Sequence, residues 1–192
     1  LYDLLRRLRG ERVGLIAFRG KAVVRCPLTT DYAFFVQSLD SADTEAAPAG
    51  PTSLGDAIRK AIDSFEGDQG SHKALVLVSD GEDLAGDARS AAEAAKEKSI
   101  AIFTVGLGNA DGSRIPEAGE GAYLRFQGNE VISRLDNETM RVIAETTGGA
   151  YIPVGTANVN LGMLYRDHLS RIQAREMDES TQRRHIERFQ YF

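Results

Sequence analysis

Residues that commonly carry catalysis or cross-linking are scarce in this sequence. Cys26 is its one cysteine, so no internal disulfide can form, and the cysteine count does not separate cytoplasm from periplasm. The histidines His72, His168 and His185 are scattered and lack metal-ligand spacing. A Gly-x-Ser-x-Gly elbow, a Walker loop and a cysteine with a plausible base are also absent. The sequence therefore gives no positive support for an enzyme.

Long apolar runs and an excess of positive charge are also lacking. No stretch of about 18 consecutive apolar residues occurs, and the arginine-rich residues 1–9 lack the apolar core of a signal peptide, so we expect a soluble chain. The formal charge of -5 gives no electrostatic reason to bind nucleic acid, and a divalent cation is the more natural companion. Because the chain starts at Leu1 and ends on an aromatic group, we expect it to be an excerpt of a longer protein.

Apolar strands alternate with amphipathic helices along most of the chain. Strands are predicted over residues 12–18, 21–28, 74–78, 100–105 and 150–154. Helices are predicted over residues 1–8, 31–39, 54–65, 85–98, 136–147 and 161–172, and Asp136 is predicted to cap the helix at 136–147. The pattern predicts an α/β fold with a doubly wound, Rossmann-like, mostly parallel sheet flanked by helices. Segment 74–78 is continuously apolar, which is typical of a strand buried on both faces.

Two segments depart from this alternation. Residues 110–136 are glycine-rich and predict an insertion that ends in a hairpin, with strands 123–126 and 131–133 around a turn at 127–130. Residues 173–192 have few apolar side chains and predict a charged helical tail that projects from the domain. We therefore expect one domain over residues 1–172.

An acid-rich turn follows the apolar strand at 74–78. Asp80, Glu82 and Asp83 lie within four residues, at the end of a parallel strand where open α/β sheets place their ligands. Close carboxylates repel one another unless they are solvated or share a cation. Two interpretations remain open: a divalent-metal site, or a solvated turn in which Asp83 caps the next helix.

Several segments, taken in order, carry a family resemblance. They are the strand at 12–18 with the segment CPLTTD at 26–31, the loop and helix at 51–58, the pairs at 107–108 and 115–116, and the segment TGGAY at 147–151. Together they resemble von Willebrand factor type A domains, specifically the bacterial Bat, or aerotolerance-operon, branch. Pro51 stands where that family usually has glycine.

The resemblance implies a metal ion-dependent adhesion site that holds Mg²⁺. Thr52 matches the family's threonine ligand and Asp80 its aspartate, while Ser53, which with Asp56 fits a capping box, can cap the helix in place of Thr52. The family's Asp-x-Ser-x-Ser turn and the central first strand before it are absent, and we expect them upstream of Leu1. The strands at 12–18 and 74–78 would then each have an unpaired edge, and this chain alone should bind Mg²⁺ weakly or not at all.

The end of the chain fits the same resemblance. Arg183, Arg184 and Arg188 precede Phe189 and Phe192, a pattern typical of the approach to a membrane span. The resemblance implies an inner-membrane-anchored bacterial protein whose partners include sibling Bat-type proteins and a MoxR-type AAA+ ATPase, in envelope stress or assembly.

Two alternatives to a metal-dependent interaction module stay open. One is a structural scaffold whose metal site is lost. The other is a metal-dependent hydrolase that uses Asp80, Glu82 and Asp83, although the sequence offers no nucleophile or base that converges on that turn.

Overall fold

The computed structural model describes residues 2–155, apart from residues 9, 44, 68–71, 110–111, 115–124, 127–128 and 131. The chain divides into two compact units, one formed by Leu1–Glu11 with Asn158–Phe192 and the other by Arg12–Ala157. In the first unit the described helix is α1 (Tyr2–Leu5), which ends before the predicted boundary at residue 8. The remaining description concerns the second unit.

The second unit alternates strands and helices as the sequence predicts. Its helices are α2 (Tyr32–Asp40), α3 (Leu54–Ser64), α4 (Ala88–Glu97) and α5 (Asn137–Thr147). Its strands are β1 (Val13–Phe18), β2 (Ala22–Thr29), β3 (Lys73–Ser79), β4 (Ile100–Leu107), β5 (Ser113–Arg114), β6 (Arg125–Phe126), β7 (Asn129–Glu130), β8 (Ile132–Ser133) and β9 (Tyr151–Gly155).

Helix α4 begins later than the sequence predicts. The start expected at residue 85 is wrong because the chain first makes a turn, in which the Gly86 amide donates to the Asp83 carbonyl at 3.1 Å. Gly86 has φ +70°, a left-handed conformation that glycine adopts without a steric penalty. The helix therefore starts at Ala88, after this turn.

The larger strands form two separate sheets. β3, β4 and β9 are parallel, with β4 in the centre, and β1 pairs with β2 in antiparallel orientation. Among the described residues, no strand pairing joins β1 to β3. In the described part of the chain, each of these two strands is therefore paired with a strand along one edge only.

One apolar core lies between the helices and the sheet strands. Leu54, Ile58 and Ile62 repeat every fourth residue, so they share one face of α3. They pack with the alanines of α4, with Ile100 and Ile102 of β4 and with Ile143 of α5. Since alanine is small, helix α4 can approach its neighbours closely. The same core includes Leu77 of β3, the strand that leads into the acid-rich turn.

Strand β3 is less buried than predicted. The expectation that segment 74–78 is buried on both faces is wrong: Leu77 is buried, but Val78 is 37% exposed. Strand β4 is equally apolar and almost wholly buried, with Ile102 at 0% exposure. The two strands differ in their neighbours: among the strands that the structure describes, β4 is flanked on both sides and β3 on one side only.

The insertion contains a tighter hairpin than the sequence predicts. β6 and β7 pair through Phe126 and Asn129, so Asn129 and Glu130 belong to a strand and the predicted turn over 127–130 is too long. A strand does lie at Ile132–Ser133, but its predicted pairing with 123–126 is wrong, because Ile132 pairs with Arg114 of β5. Pairing register depends on contacts between distant segments, which local periodicity does not encode.

The helix predicted from residue 161, the tail at 173–192 and the domain boundary at 172 lie outside the described residues. Among the residues that are described, no helix is long and apolar enough to span a membrane.

Candidate functional site

The acid-rich turn lies at the carboxyl end of β3 and is fixed against helix α5. The Asp136 amide donates to the Asp80 carbonyl at 2.8 Å. Gly81 follows with φ +82°, and a Cβ at this position would lie 2.5 Å from the Asp136 carbonyl oxygen and 2.9 Å from Cγ of Met140. Only glycine fits this close approach, so the backbone that carries Asp80 is held in one place.

The carboxylate of Asp80 is oriented by its own turn. Its Oδ1 accepts a hydrogen bond from the Glu82 amide at 3.2 Å, and the Ser79 hydroxyl lies 3.4 Å from the same oxygen. Oγ of Ser79 in turn accepts from the Gly81 amide at 3.1 Å. Side-chain bonds of this kind to nearby amides are typical of aspartate in turns.

The loop that carries Thr52 lies beside this turn. The Ala85 amide donates to the Thr52 carbonyl at 3.3 Å, and the Leu54 amide donates to Oδ1 of Asp83 at 3.2 Å. Two hydrogen bonds therefore join the two loops. The structure brings together the segments that carry Thr52 and Asp80, which are far apart in the sequence.

Helix α3 is capped by Ser53, as the sequence predicts. Oγ of Ser53 accepts from the Asp56 amide at 3.1 Å, so the Thr52 side chain is not the cap. The capping box is only half formed, because a carboxylate oxygen of Asp56 accepts from the Ala22 amide at 2.6 Å. The Ser53 amide instead donates to the Arg19 carbonyl at 3.2 Å. Asp56 therefore ties α3 to β2.

Asp83 caps the start of the next helix, as the sequence suggested for this residue, and this role does not involve the carboxylate of Asp80. One carboxylate oxygen accepts from the Ala88 amide at 2.9 Å, and the other accepts from the Leu54 amide. These amides open helices α4 and α3, where backbone N–H groups lack partners within the helix. Asp83 thus caps two helices at once, and both of its oxygens are engaged.

One charged contact beside the site was missed in the sequence analysis. Asp87 forms an ion pair with Arg59, and its carboxylate packs directly on Gly55, where a Cβ would clash with it. Among the described residues, Oδ1 of Asp87 is the one buried side-chain oxygen or nitrogen without a hydrogen-bond partner. Gly55 could have indicated this contact in the sequence. Glycine destabilises the interior of a helix, so a glycine there suggests that a neighbouring group packs against the backbone.

The predicted metal ligands form an incomplete set in the described part of the chain. Threonine hydroxyl and aspartate carboxylate oxygens are donors that suit Mg²⁺, which prefers octahedral oxygen coordination. No group of three or more histidine, cysteine, aspartate or glutamate side chains in the described residues is placed to hold a metal. The chemistry of Thr52 and Asp80 fits a hard cation, and such an ion needs further ligands.

Asp136, which donates its amide to the Asp80 carbonyl, also caps helix α5 as predicted. Oδ1 of Asp136 accepts from the amides of Glu138 and Thr139 at 3.1 Å and 3.0 Å. Partial burial raises the pKa of Asp136, but these bonds and one from the Thr139 hydroxyl outweigh it, so the pKa lies below its usual value. The carboxylate is therefore held in its charged form beside the Asp80 turn.

The family follows from comparison with known sequences. The profile of the von Willebrand factor type A (VWA) domain matches residues 2–122. The chain belongs to the VWA domain family. The match to VWA domains spans β1 to β4, and so includes both loops of the candidate site. Comparison with curated proteins gave no match.

Solved structures place this VWA domain in the Bat-like branch. BatB from Bacteroides thetaiotaomicron is 31% identical, with a TM-score of 0.82 over 89% of this chain and 83% of that one. An aerotolerance-related membrane protein from Bacteroides fragilis is 30% identical, with a TM-score of 0.76 over 86% and 80% of the two chains. The resemblance seen in the sequence motifs is thereby confirmed.

A more distant structure shares the fold. Proximal thread matrix protein 1 from the mussel byssus, described with a zinc-occupied MIDAS motif, is 14% identical, with a TM-score of 0.57 over 79% of this chain and 34% of that one. VWA domains often carry such a metal site and are in general adhesion and interaction modules.

Proposed function

We propose that this VWA domain binds an acidic side chain of a partner protein through a divalent cation held by Thr52, Asp80 and residues upstream of Leu1. The observation that carries the proposal is the pairing of the two loops, since hydrogen bonds from Ala85 and Leu54 fix the Thr52 loop beside the turn of Asp80. Both residues offer oxygen ligands at the carboxyl edge of a parallel sheet, where α/β folds bind their ligands.

The ligand types determine what such a site can bind. A cation held by one protein carboxylate and several neutral hydroxyls keeps excess positive charge and an open position, which a carboxylate from another protein can fill. Other residues of the chain fix the position of Asp80. Close packing at Gly81 and the hydrogen bond from the Asp136 amide fix its backbone, and Asp83 binds the first amides of α3 and α4 beside it.

The split sheet supports an upstream source for the other ligands. A strand inserted beside β3 and parallel to it would end at the same edge as Ser79, because the carboxyl ends of parallel strands share one edge. The turn after that strand would lie beside Asp80. The proposed donors are the Asp-x-Ser-x-Ser turn that Bat-type VWA domains carry.

The proposal extends to the protein's setting. The domain covers residues 1–172, and the charged segment 173–192 leads to a membrane anchor in the bacterial inner membrane. The partners are sibling Bat-type proteins and a MoxR-type AAA+ ATPase, in an envelope stress or assembly complex, and nucleic acid is not a partner. Support comes from the similarity to a protein described as an aerotolerance-related membrane protein and from the basic and aromatic end of the sequence.

The test is Mg²⁺ binding by calorimetry on the natural protein extended upstream of Leu1. The wild type should bind the ion, and Asp80→Ala should abolish binding because it removes the carboxylate ligand on this chain. Glu82→Ala is the matched control, since this exposed carboxylate lies two residues away in the same turn. Binding that survives in Asp80→Ala, or is lost equally in Glu82→Ala, would contradict the proposed ligand set.

The two alternatives are separated by the same experiment and by the geometry. A scaffold domain with a lost metal site predicts no Mg²⁺ binding in the wild type. A hydrolase that uses Asp80, Glu82 and Asp83 is disfavoured because both oxygens of Asp83 accept backbone hydrogen bonds.

A further inference from the structure

Exposed apolar side chains lie close to the Asp80 turn. Among the described residues, Leu84 has the most exposed large apolar side chain, at 63%, and it follows Asp80 by four positions. Leu107 is 44% exposed at the end of β4, where the parallel register pairs Ser79 with Gly106. Asp80 and Leu107 are the next residues of these two segments, so they lie side by side at the same edge of the sheet. Two exposed leucines therefore border the proposed metal ligand.

The backbone on both sides of Leu84 is fixed by hydrogen bonds. Both carboxylate oxygens of Asp83 accept from helix amides, and the Ala85 amide donates to the Thr52 carbonyl at 3.3 Å. The Gly86 amide closes the turn by donating to the Asp83 carbonyl at 3.1 Å. A single exposed leucine is ordinary on a protein surface. A leucine held in one position beside a binding site can, however, be buried by a partner at a small cost in conformational entropy.

A basic turn lies against the Thr52 loop. Arg19 and Lys21 are exposed and lie in the turn between β1 and β2. The Arg19 carbonyl accepts from the Ser53 amide at 3.2 Å, so this turn is hydrogen-bonded to the same loop that bonds to the acid-rich turn. Positive charge at this place attracts an acidic partner and disfavours a basic one. One edge of the domain therefore combines a basic turn, the proposed metal ligands and two exposed leucines.

We propose that this edge recognises a partner segment in which an aliphatic side chain lies next to the acidic one, and that the aliphatic group packs on Leu84 and Leu107. The inference rests on the proposed function, because the carboxylate of the segment binds the cation at Asp80. Without the cation, the acid-rich turn repels a carboxylate, so the segment is recognised only when the ion is bound. The leucines then determine which acidic segments bind, since a segment without an aliphatic neighbour leaves them exposed to water.

The first experiment selects binders from a displayed library of random short peptides on the immobilised natural protein in Mg²⁺. The selected peptides should contain aspartate or glutamate with leucine, isoleucine, valine or methionine beside it. Selection on Leu84→Ser should keep the acidic residue and lose the aliphatic one, because the ion can still bind a carboxylate. Selected peptides without an aliphatic neighbour, the same sequences from both proteins, or no selected peptide at all would overturn the inference.

Fluorescence anisotropy with one selected, labelled peptide measures the contribution of each leucine. Leu84→Ser and Leu107→Ser should each weaken binding by about tenfold, the loss expected when a largely buried aliphatic contact is removed. Phe34→Ser is the matched control, because Phe34 is 45% exposed, compared with 44% for Leu107. Phe34 lies at the start of α2, which follows the opposite end of β2 from the basic turn, so this variant should stay within about twofold of the wild type.

Charge reversal tests the basic turn with the same peptide. Lys21→Glu should weaken binding by about threefold or more at low salt, and the difference should shrink as added salt screens the charges. Lys96→Glu makes the same change at an exposed position in the last turn of α4 and should leave binding unchanged. Equal losses in the two variants would overturn the part assigned to the basic turn.

Calorimetry with Mg²⁺ separates this inference from the proposed function. Leu84→Ser should bind the ion as the wild type does, because leucine offers no ligand. If the wild type binds ion and peptide but both leucine variants bind the peptide normally, the inference is wrong and the metal site stands. If peptide binding needs the leucines but persists in a metal chelator, the aliphatic contact stands and the metal proposal is wrong. Self-association of the wild type that Leu84→Ser abolishes would make a second copy the occupant and overturn the inference.

Discussion

Asp83→Ala should destabilise the domain strongly, although Asp83 lies in an acid-rich loop next to the exposed Glu82. The substitution removes hydrogen bonds of 3.2 Å and 2.9 Å from the Leu54 and Ala88 amides, which leaves α4 without a side-chain cap and α3 with the Ser53 cap alone. Loss of one helix cap costs about 1 kcal/mol, and the lost carboxylate charge at each helix start adds about 0.3–1 kcal/mol. The expected decrease in the free energy of unfolding is therefore about 2–4 kcal/mol.

Urea denaturation followed by circular dichroism measures this change. With an m-value of about 2–3 kcal/mol per molar, the midpoint should fall by roughly 1 M. Asp83→Asn keeps one acceptor oxygen and should lose about half as much. Glu82→Ala, the neighbouring exposed carboxylate, should stay within about 0.5 kcal/mol of the wild type. A loss below about 0.5 kcal/mol in Asp83→Ala would refute the double-cap assignment.

Three further substitutions test the packing around the site. Gly149→Ala should lower the free energy of unfolding, measured by urea denaturation, by about 3 kcal/mol or more, because its Cβ would clash with the carbonyl of Ile102 in β4. The control Gly148→Ala, where a Cβ meets open space at φ +73°, should lower it by only about 1 kcal/mol. Thr104→Val should cost about 1–2 kcal/mol, since the fully buried hydroxyl donates to a backbone carbonyl of α5 at 2.8 Å, and a loss below about 0.5 kcal/mol would contradict that role. The lowered pKa of Asp136 means that its contribution is present above the pKa of the unfolded chain and disappears as the pH falls through the folded value. Stability should therefore fall less between neutral and acidic pH in Asp136→Ala than in the wild type, and an equal fall in both proteins would count against the assignment.

The sequence predicted the features that local patterns encode. Apolar periodicity placed α3, β4 and α5 within a few residues, and residue chemistry identified Ser53 and Asp136 as helix caps. These features depend on residues within one or two helical turns in the sequence, so they can be predicted without knowledge of the tertiary structure. The family motifs supplied Thr52 and Asp80, and the fold then brought their loops together.

Features that depend on distant contacts were missed or wrong. Asp83 was considered as a cap for one helix, but its second bond goes to Leu54, which the sequence separates from it by 29 positions. The clash that requires Gly55 to be glycine involves Asp87, which lies within a segment predicted to be helical. The exposure of Val78 in β3 depends on the position of that strand at the end of the described sheet order, with β4 as its neighbour. None of these relationships has a local pattern.

Direct observation of the bound ion tests the central claim, that Thr52 and Asp80 belong to a divalent-metal site. Electron paramagnetic resonance of Mn²⁺, used in place of Mg²⁺, should show tightly bound ion in the protein extended upstream of Leu1. The bound signal should weaken in Thr52→Val and vanish in Asp80→Ala, while Glu82→Ala leaves it unchanged. A bound Mn²⁺ signal that is identical in the wild type, Thr52→Val and Asp80→Ala would contradict the account.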